Sequence, residues 1–148
     1  MEEANRVKFH FLVSNFSLQN RSQLKLFITE LFKKEGLTIA HINYIFCSDK
    51  YLLQLNKNHL KHNTYTDIIT FPFSSEREAV LSDIYISVDR VKENAADFYQ
   101  SFKEELHRVI LHGALHLCGY KDKTLGDKKI MREKEAYYLR QYFVSRET

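Results

Sequence analysis

The sequence predicts an α+β fold in which one mixed β-sheet is covered by helices, formed by a single domain that spans residues 1–148. Two patterns support this prediction: short segments alternate apolar and polar residues, as strands do, and longer segments repeat apolar residues at helical spacing. A chain of 148 residues with 44% hydrophobic residues, 4 Gly and 1 Pro suits one globular domain. We expect four strands and about five helices.

The first strand and the first helix are predicted near the N-terminus. Residues 6–13 alternate apolar and polar side chains, which is typical of a strand with one buried face. Residues 24–32 carry apolar side chains at helical spacing. Asn20 or Ser22 is available to cap this helix, and Gly36 is available to end it.

The middle of the chain is predicted to contain a strand, a short helix, a loop and an edge strand. Residues 37–48 are rich in β-branched and aromatic side chains, which favours a strand, and a short helix is expected to begin at Ser48. Residues 57–65 are polar and show neither the helical nor the strand spacing of apolar residues, so we expect a loop. Residues 66–73 are apolar but include Pro72, which cannot donate to a ladder and therefore indicates an edge strand.

The last part of the chain is predicted to contain one strand and three helices. Residues 79–89 alternate apolar and polar side chains, and Asp89 is expected to cap the helix that follows. Residues 102–118 are predicted to form a helix, because apolar side chains recur within them at helical spacing. Gly119 is placed to end this helix. A final helix is expected over residues 127–143.

The sequence favours a cytoplasmic protein. Two glutamates stand near the N-terminus, where a signal peptide carries positive charge, and no apolar stretch approaches the roughly 20 residues that cross a bilayer. With Cys47 and Cys118 as the two cysteines, we expect neither a disulfide framework nor a disulfide-linked partner. We also expect no association with a membrane. The net charge of +3 permits an RNA partner without implying one.

The stretch HGALHLCGYKD, residues 112–122, has the spacing of a zinc site. His112 and His116 are four residues apart, so their side chains share one face of a helix and both can reach one ion. Gly119 allows the chain to reverse after the helix, which brings Asp122 back as a third ligand. Two nitrogens and one oxygen would leave a fourth position open for water, as catalytic zinc sites do.

A chance arrangement of histidines and a zinc protease are the alternatives to this interpretation. Two histidines at this spacing also occur by chance on many helices. A metalloprotease of the HExxH type needs a glutamate after its first histidine, and Gly113 stands at that place. Cys118 lies two residues after His116 and therefore does not share its helical face, so we interpret it as a small buried hydrophobic residue.

Several segments together resemble the YbeY family, which consists of bacterial metal-dependent endoribonucleases that act in ribosomal RNA maturation. HGALHLCGYKD resembles the family's HGxLHLxGYDH, LNKNHLKHNTYTDIITFPF resembles LNxxyRxxdxpTDVLSFPF, and LSDIYIS resembles LGDIxIs. The order and spacing of the three segments agree with the family over residues 55–122. The resemblance implies a zincin-like metal site carried by a helix, with one zinc ion bound by His112, His116 and Asp122.

The chain departs from the family pattern at two positions that concern chemistry. Asp122 stands where the family has histidine, and its negative charge would make a zinc-bound water less acidic. Leu60 stands where the family often has an arginine, which the resemblance implies acts at the active site. Neighbouring cations are candidates to bind the phosphates of a substrate instead, although a solvated polar loop is an equally simple interpretation. The candidate residues are Lys57, His59, Lys61, His62 and Lys121.

The resemblance implies a hydrolase. We expect a single-strand-specific endoribonuclease that acts in ribosomal RNA maturation and ribosome quality control, and that hydrolyses phosphodiesters with a zinc-activated water. His112, His116 and Asp122 would act through that water, and Asp83 is a candidate for orienting a ligand histidine. The expected partners are RNA, in particular ribosomal RNA, and the small ribosomal subunit. The alternatives are a ribosome-associated RNA-binding protein with a structural metal site, which Leu60 motivates, and a zinc-dependent protease.

Overall fold

The structure is a computed structural model that describes residues 3–62 and 64–147. It confirms the predicted four-stranded mixed sheet with five α-helices. A short 3₁₀ helix at Glu3–Arg6 precedes the first strand. The remaining elements are β1 (Val7–Phe11), α1 (Arg21–Lys34), β2 (Ile39–Cys47), α2 (Asp49–Leu60), β3 (Ile68–Pro72), β4 (Val80–Ser87), α3 (Val88–Asp97), α4 (Phe102–Leu117) and α5 (Leu125–Glu147).

The strands lie in the order β1, β2, β4, β3. β1 pairs with β2 and β2 pairs with β4 in parallel, whereas β3 pairs with β4 antiparallel. β3 is therefore an edge strand, as Pro72 at its end predicted, because the ring nitrogen of proline has no hydrogen to donate to a neighbour.

One face of the sheet carries the main core and supports α4. Ile42, Tyr44 and Ile84 are fully buried on this face together with residues of α1, α4 and α5. The Tyr44 hydroxyl donates a 2.9 Å hydrogen bond to the Ile110 carbonyl of α4, which satisfies a phenol that would otherwise be buried without a partner. The opposite face is partly covered by α2, through a smaller cluster that includes Leu52 and Cys47.

Several helix ends differ from the sequence-based expectations. α2 continues to Leu60, so the loop predicted from residue 57 begins four residues later; Lys61 ends the helix with φ +57°, and the His62 backbone N–H donates to the Asn56 carbonyl. Ser87, and not Asp89, caps α3, since the Ser87 side chain accepts from the Arg90 N–H. Asn20 occupies the N-cap position of α1, but its side chain makes no capping hydrogen bond.

Within residues 3–62 and 64–147, none of the helices combines the length and apolar character that a bilayer span requires.

Candidate metal centre

The C-terminal end of α4 carries the two predicted histidine ligands and a tight reversal of the chain. Gly119 adopts φ +106°, a conformation that residues with a Cβ rarely take. Its N–H bonds to the His116 carbonyl, and the Tyr120 N–H bonds to the Leu115 carbonyl, which is the hydrogen-bond pattern of a Schellman motif. The prediction that α4 ends at Gly119 is confirmed, and the chain beyond it turns back towards α4.

His112 and Asp122 meet after this reversal. His112 Nε2 lies 3.3 Å from Asp122 Oδ2, and the side chains are 18% and 47% exposed. Two ligand atoms that share a tetrahedral zinc ion at about 2.0 to 2.2 Å lie roughly 3.3 to 3.6 Å apart. This pair therefore has the chemistry and the separation that a shared zinc ion requires.

His116 is exposed one turn further along α4. It lines a cavity of about 250 Å³ whose walls include Ser74, Glu76 and Leu117. Within the part of the chain that the structure describes, no three His, Cys, Asp or Glu side chains are grouped closely enough to hold a metal ion. The structure thus brings together two of the three predicted ligands and leaves His116 beside them on the same helix.

A buried ionic network lies behind His112. His112 Nδ1 is 2.6 Å from Glu135 Oε2, and Arg108 Nη1 is 3.1 Å from Glu135 Oε1. Arg108 also donates to both carboxylate oxygens of Glu105, at 2.9 and 2.7 Å. Both glutamates are only 2% exposed. A continuous series of contacts therefore runs from Glu105 through Arg108 and Glu135 to His112.

The electrostatics of this network keep Glu135 charged. Burial by itself would raise the pKa of Glu135, but the hydrogen bond with His112 and the charge of Arg108 lower it below its usual value. Asp67, the residue before β3, lies 3.9 Å from Arg108 Nη2. There, burial outweighs the attraction of Arg108 and His112, and the pKa of Asp67 is raised.

Neither Glu135 nor Arg108 was among the site residues predicted from the sequence. A signal for Glu135 was available, because Met131, Glu135, Tyr138 and Tyr142 follow one another at helical spacing and all are buried. A lone glutamate within an apolar stripe indicates a buried charge, which requires a partner. The identity of that partner, on another helix, could not be derived from the spacing.

A second cluster holds the turn that follows Gly119. The Tyr120 hydroxyl donates a 2.7 Å hydrogen bond to Glu35 Oε1, and the Tyr138 hydroxyl donates to Glu35 Oε2. Lys134 Nζ lies 3.5 Å from Glu35 Oε2. Since Tyr120 is two residues from Asp122, this cluster ties the returning segment to α1 and α5.

Asp83 lies away from the histidines. Ile84 faces α4, because its Cγ2 would be 3.3 Å from a Cβ placed on Gly113. Neighbouring strand residues point to opposite faces of a sheet, so Asp83 faces the other side, where it accepts a 3.0 Å hydrogen bond from Asn43. The expectation that Asp83 orients a ligand histidine is therefore corrected.

The candidate phosphate-binding residues are divided between two regions. His59 lies on α2 beside Phe71 and lines a cavity with Asp83 and Tyr85, on the sheet face opposite α4. Lys57 is exposed on the same helix. Lys61 and His62 are exposed just after α2, and Lys121 is exposed next to Asp122. Of the five, Lys121 is next to a predicted ligand in the chain.

The fold and this site define an α+β protein with a histidine site at the end of a helix that packs on a mixed sheet. The family model described as Endoribonuclease YbeY matches residues 10–143. The chain belongs to the YbeY family, which confirms the resemblance noted in its sequence motifs.

Relatives and one solved structure agree with this assignment. The chain is 49% identical over 122 residues to Endoribonuclease YbeY of Cytophaga hutchinsonii, covering 82% of this chain and 85% of the relative. It is 42% identical over 138 residues to Endoribonuclease YbeY of Flavobacterium psychrophilum, covering 93% and 97%. The solution structure of TM1509 from Thermotoga maritima is similar with a TM-score of 0.65 and 29% identity, covering 94% of this chain and 90% of that chain.

Proposed function

We propose that this protein is an endoribonuclease that hydrolyses phosphodiester bonds of RNA with one zinc ion bound by His112, His116 and Asp122. The observation that supports the metal site most directly is the 3.3 Å separation between His112 Nε2 and Asp122 Oδ2. Family membership supports the reaction, because the curated relatives are named as endoribonucleases.

His116 completes the ligand set in this proposal. It lies four residues after His112, and side chains at this spacing are neighbours on one helical face. The exposed His116 side chain has no hydrogen bond or ion pair with the described residues that a change of rotamer would break. Two imidazoles and one carboxylate are a known type of catalytic zinc ligand set.

The chain's own residues bind and orient the substrate around this site. A bound zinc ion would supply Lewis-acid chemistry, which acidifies water and stabilises negative charge on a phosphate. Asp122 contributes a negative charge that the family's histidine lacks. Lys121, exposed beside it, supplies a cation for the phosphate of the RNA. We further propose that the substrate is single-stranded ribosomal RNA of the small subunit, processed in the cytoplasm.

The test compares wild type with His116→Ala and with His10→Ala, which removes a histidine of β1 on the sheet face opposite α4. Zinc content and cleavage of a labelled single-stranded RNA are measured for all three proteins. We expect wild type and His10→Ala to carry about one zinc ion and to cleave, and His116→Ala to lose most of both. Stoichiometric zinc and full cleavage in His116→Ala would disprove the proposal.

A second candidate function is an RNA-binding protein whose metal is structural. The observation that favours it is Leu60, which is 42% exposed on the last turn of α2 at the place of the family's arginine. This candidate requires that a chelator lower the melting temperature while purified protein fails to cleave RNA. A protease is disfavoured, because Gly113 next to His112 carries no carboxylate and is buried against Ile68 and Ile84.

A further inference from the structure

The carboxylate of Glu135 contacts two partners, one with each oxygen. Oε2 lies 2.6 Å from His112 Nδ1, and Oε1 accepts a 3.1 Å hydrogen bond from Arg108 Nη1. Arg108 is itself fixed by the two bonds that its Nε and Nη2 donate to Glu105. Because guanidinium is planar and rigid, the paired bonds to Glu105 fix Arg108, which in turn holds Oε1 of Glu135 and leaves Oε2 for His112.

A carboxylate paired with arginine accepts hydrogen bonds and has no proton to donate. The contact with His112 therefore requires the proton on Nδ1. In a neutral imidazole, a proton on Nδ1 leaves the lone pair on Nε2, the atom that lies 3.3 Å from Asp122. The same contact also restrains rotation of the ring.

We propose that Glu135, held by Arg108, is a positioning residue that keeps the proton of His112 on Nδ1 and presents Nε2 to the ion. The proposal rests on the proposed function, in which His112 is a metal ligand. It adds a residue from α5, 23 positions away in the chain, to a site otherwise formed by residues 112–122. Loss of such an outer hydrogen-bond partner typically weakens metal binding by about 10- to 100-fold.

The first measurement is the protonation of the His112 ring in metal-free wild-type protein, by long-range ¹H–¹⁵N correlation spectra with the ring assigned from His112→Ala. We expect a proton on Nδ1. His107 provides an internal reference, because its Nδ1 lies 2.7 Å from the Lys103 carbonyl oxygen, which is also an acceptor. A His112 ring that carries its proton on Nε2 alone would overturn the proposal, and this result needs no altered Glu135.

The second measurement is the zinc dissociation constant, by competition with a chromophoric chelator, for wild type, Glu135→Gln and Glu133→Gln. Glu133 is exposed on the same helix and serves as the matched control. We expect zinc binding to weaken by about 10- to 100-fold in Glu135→Gln and to stay within about twofold in Glu133→Gln. Equal affinity in wild type and folded Glu135→Gln overturns the proposal.

The two measurements separate this inference from the proposed function. Wild-type protein that binds no zinc refutes the metal site, while the His112 spectrum still decides whether Glu135 sets the proton position. The converse result is that wild-type protein binds zinc and cleaves RNA while its His112 ring carries the proton on Nε2. That result would support the proposed function and refute the role of Glu135. If Glu135→Gln does not fold, the wild-type spectrum decides alone.

Discussion

A Cβ atom on Gly113 would lie 2.9 Å from Ile68 Cδ1, because α4 approaches the edge strand β3 at this glycine. The same Cβ would be 3.3 Å from Cγ2 of Ile84, which is fully buried. Both distances are shorter than ordinary van der Waals contact. The glycine that follows the first predicted ligand therefore allows α4, and His112 with it, to pack closely on the sheet.

Gly113→Ala is expected to destabilise the protein by about 1 kcal/mol, although alanine is the better helix former. Overpacking a core lowers the free energy of unfolding by about 1 to 3 kcal/mol, whereas replacing a helical glycine by alanine raises it by about 1 kcal/mol. Urea unfolding measures the difference, and the double variant Gly113→Ala with Ile68→Val should recover part of the loss, since Cδ1 is removed. Gly126→Ala, with the closest neighbour 3.9 Å away, is the control and should be neutral or stabilising. A stabilised Gly113→Ala would show that the sheet adapts at no cost.

Asp122→Asn is expected to weaken zinc binding by more than about tenfold, because the amide keeps the shape of the carboxylate but removes its charge. Asp122→His, which restores the residue common in the family, should retain tight binding, since imidazole is an equally competent ligand. Competition with a chromophoric chelator measures both affinities. Asp97→Asn, which changes an exposed carboxylate at the end of α3, provides the control. Unchanged affinity in Asp122→Asn would exclude Asp122 as a ligand.

The parts of the structure that depend on local signals were predictable from the sequence. α4 and its end at Gly119 followed from helical spacing and from a residue that tolerates positive φ. The end of α2 was placed too early, because the residue that ends it with φ +57° is Lys61 and not a glycine, so the sequence carries no recognisable stop signal there. A polar helical turn that carries no apolar stripe resembles a loop in sequence.

The network behind His112 was not predictable, since it joins residues that are distant in the chain. Arg108 is one turn from His112, but Glu135 is 23 residues away, and periodicity shows only that Glu135 is buried, not which group it meets. Asp83, in contrast, was predicted to belong to the site but lies away from it. It was expected to orient a ligand histidine, whereas the alternation of side chains along β4 directs it to the opposite face of the sheet.

Both cysteines are expected to resist alkylation in the folded protein. Burial raises the pKa of the Cys47 thiol to about 12 and that of the Cys118 thiol to about 12, so very little thiolate is present at pH 8. Relative to an unperturbed thiol, labelling by iodoacetamide should be slower by about a thousandfold. Cys118 should react before Cys47, because it is only partly buried. Mass spectrometry of timed samples, with urea-unfolded protein as the control, measures both rates, and rapid labelling of either thiol would contradict the prediction.

Glu35 is expected to make the stability of the protein depend on acid pH. Its side chain is 13% exposed. Burial alone would raise the pKa of Glu35, but hydrogen bonds from Tyr138 and Tyr120 and the charge of Lys134 lower it below its usual value. A carboxyl whose pKa is lower in the folded than in the unfolded state stabilises the fold above its unfolded pKa, about 4.3, and loses that contribution as the pH falls through the folded pKa.

Glu35→Gln should therefore lower the free energy of unfolding by about 1 to 2 kcal/mol at pH 7, because hydrogen bonds to a charged group are replaced by weaker ones. The difference between the two proteins should shrink as the pH falls through the folded pKa of wild-type Glu35, because the carboxyl is then protonated and loses its charge. Urea unfolding at pH 7, 5 and 3 measures the free energies, with Glu30→Gln on the exposed side of α1 as the control. A deficit that is constant across this range would mean that Glu35 stabilises the turn at Tyr120 through packing and not through its charge.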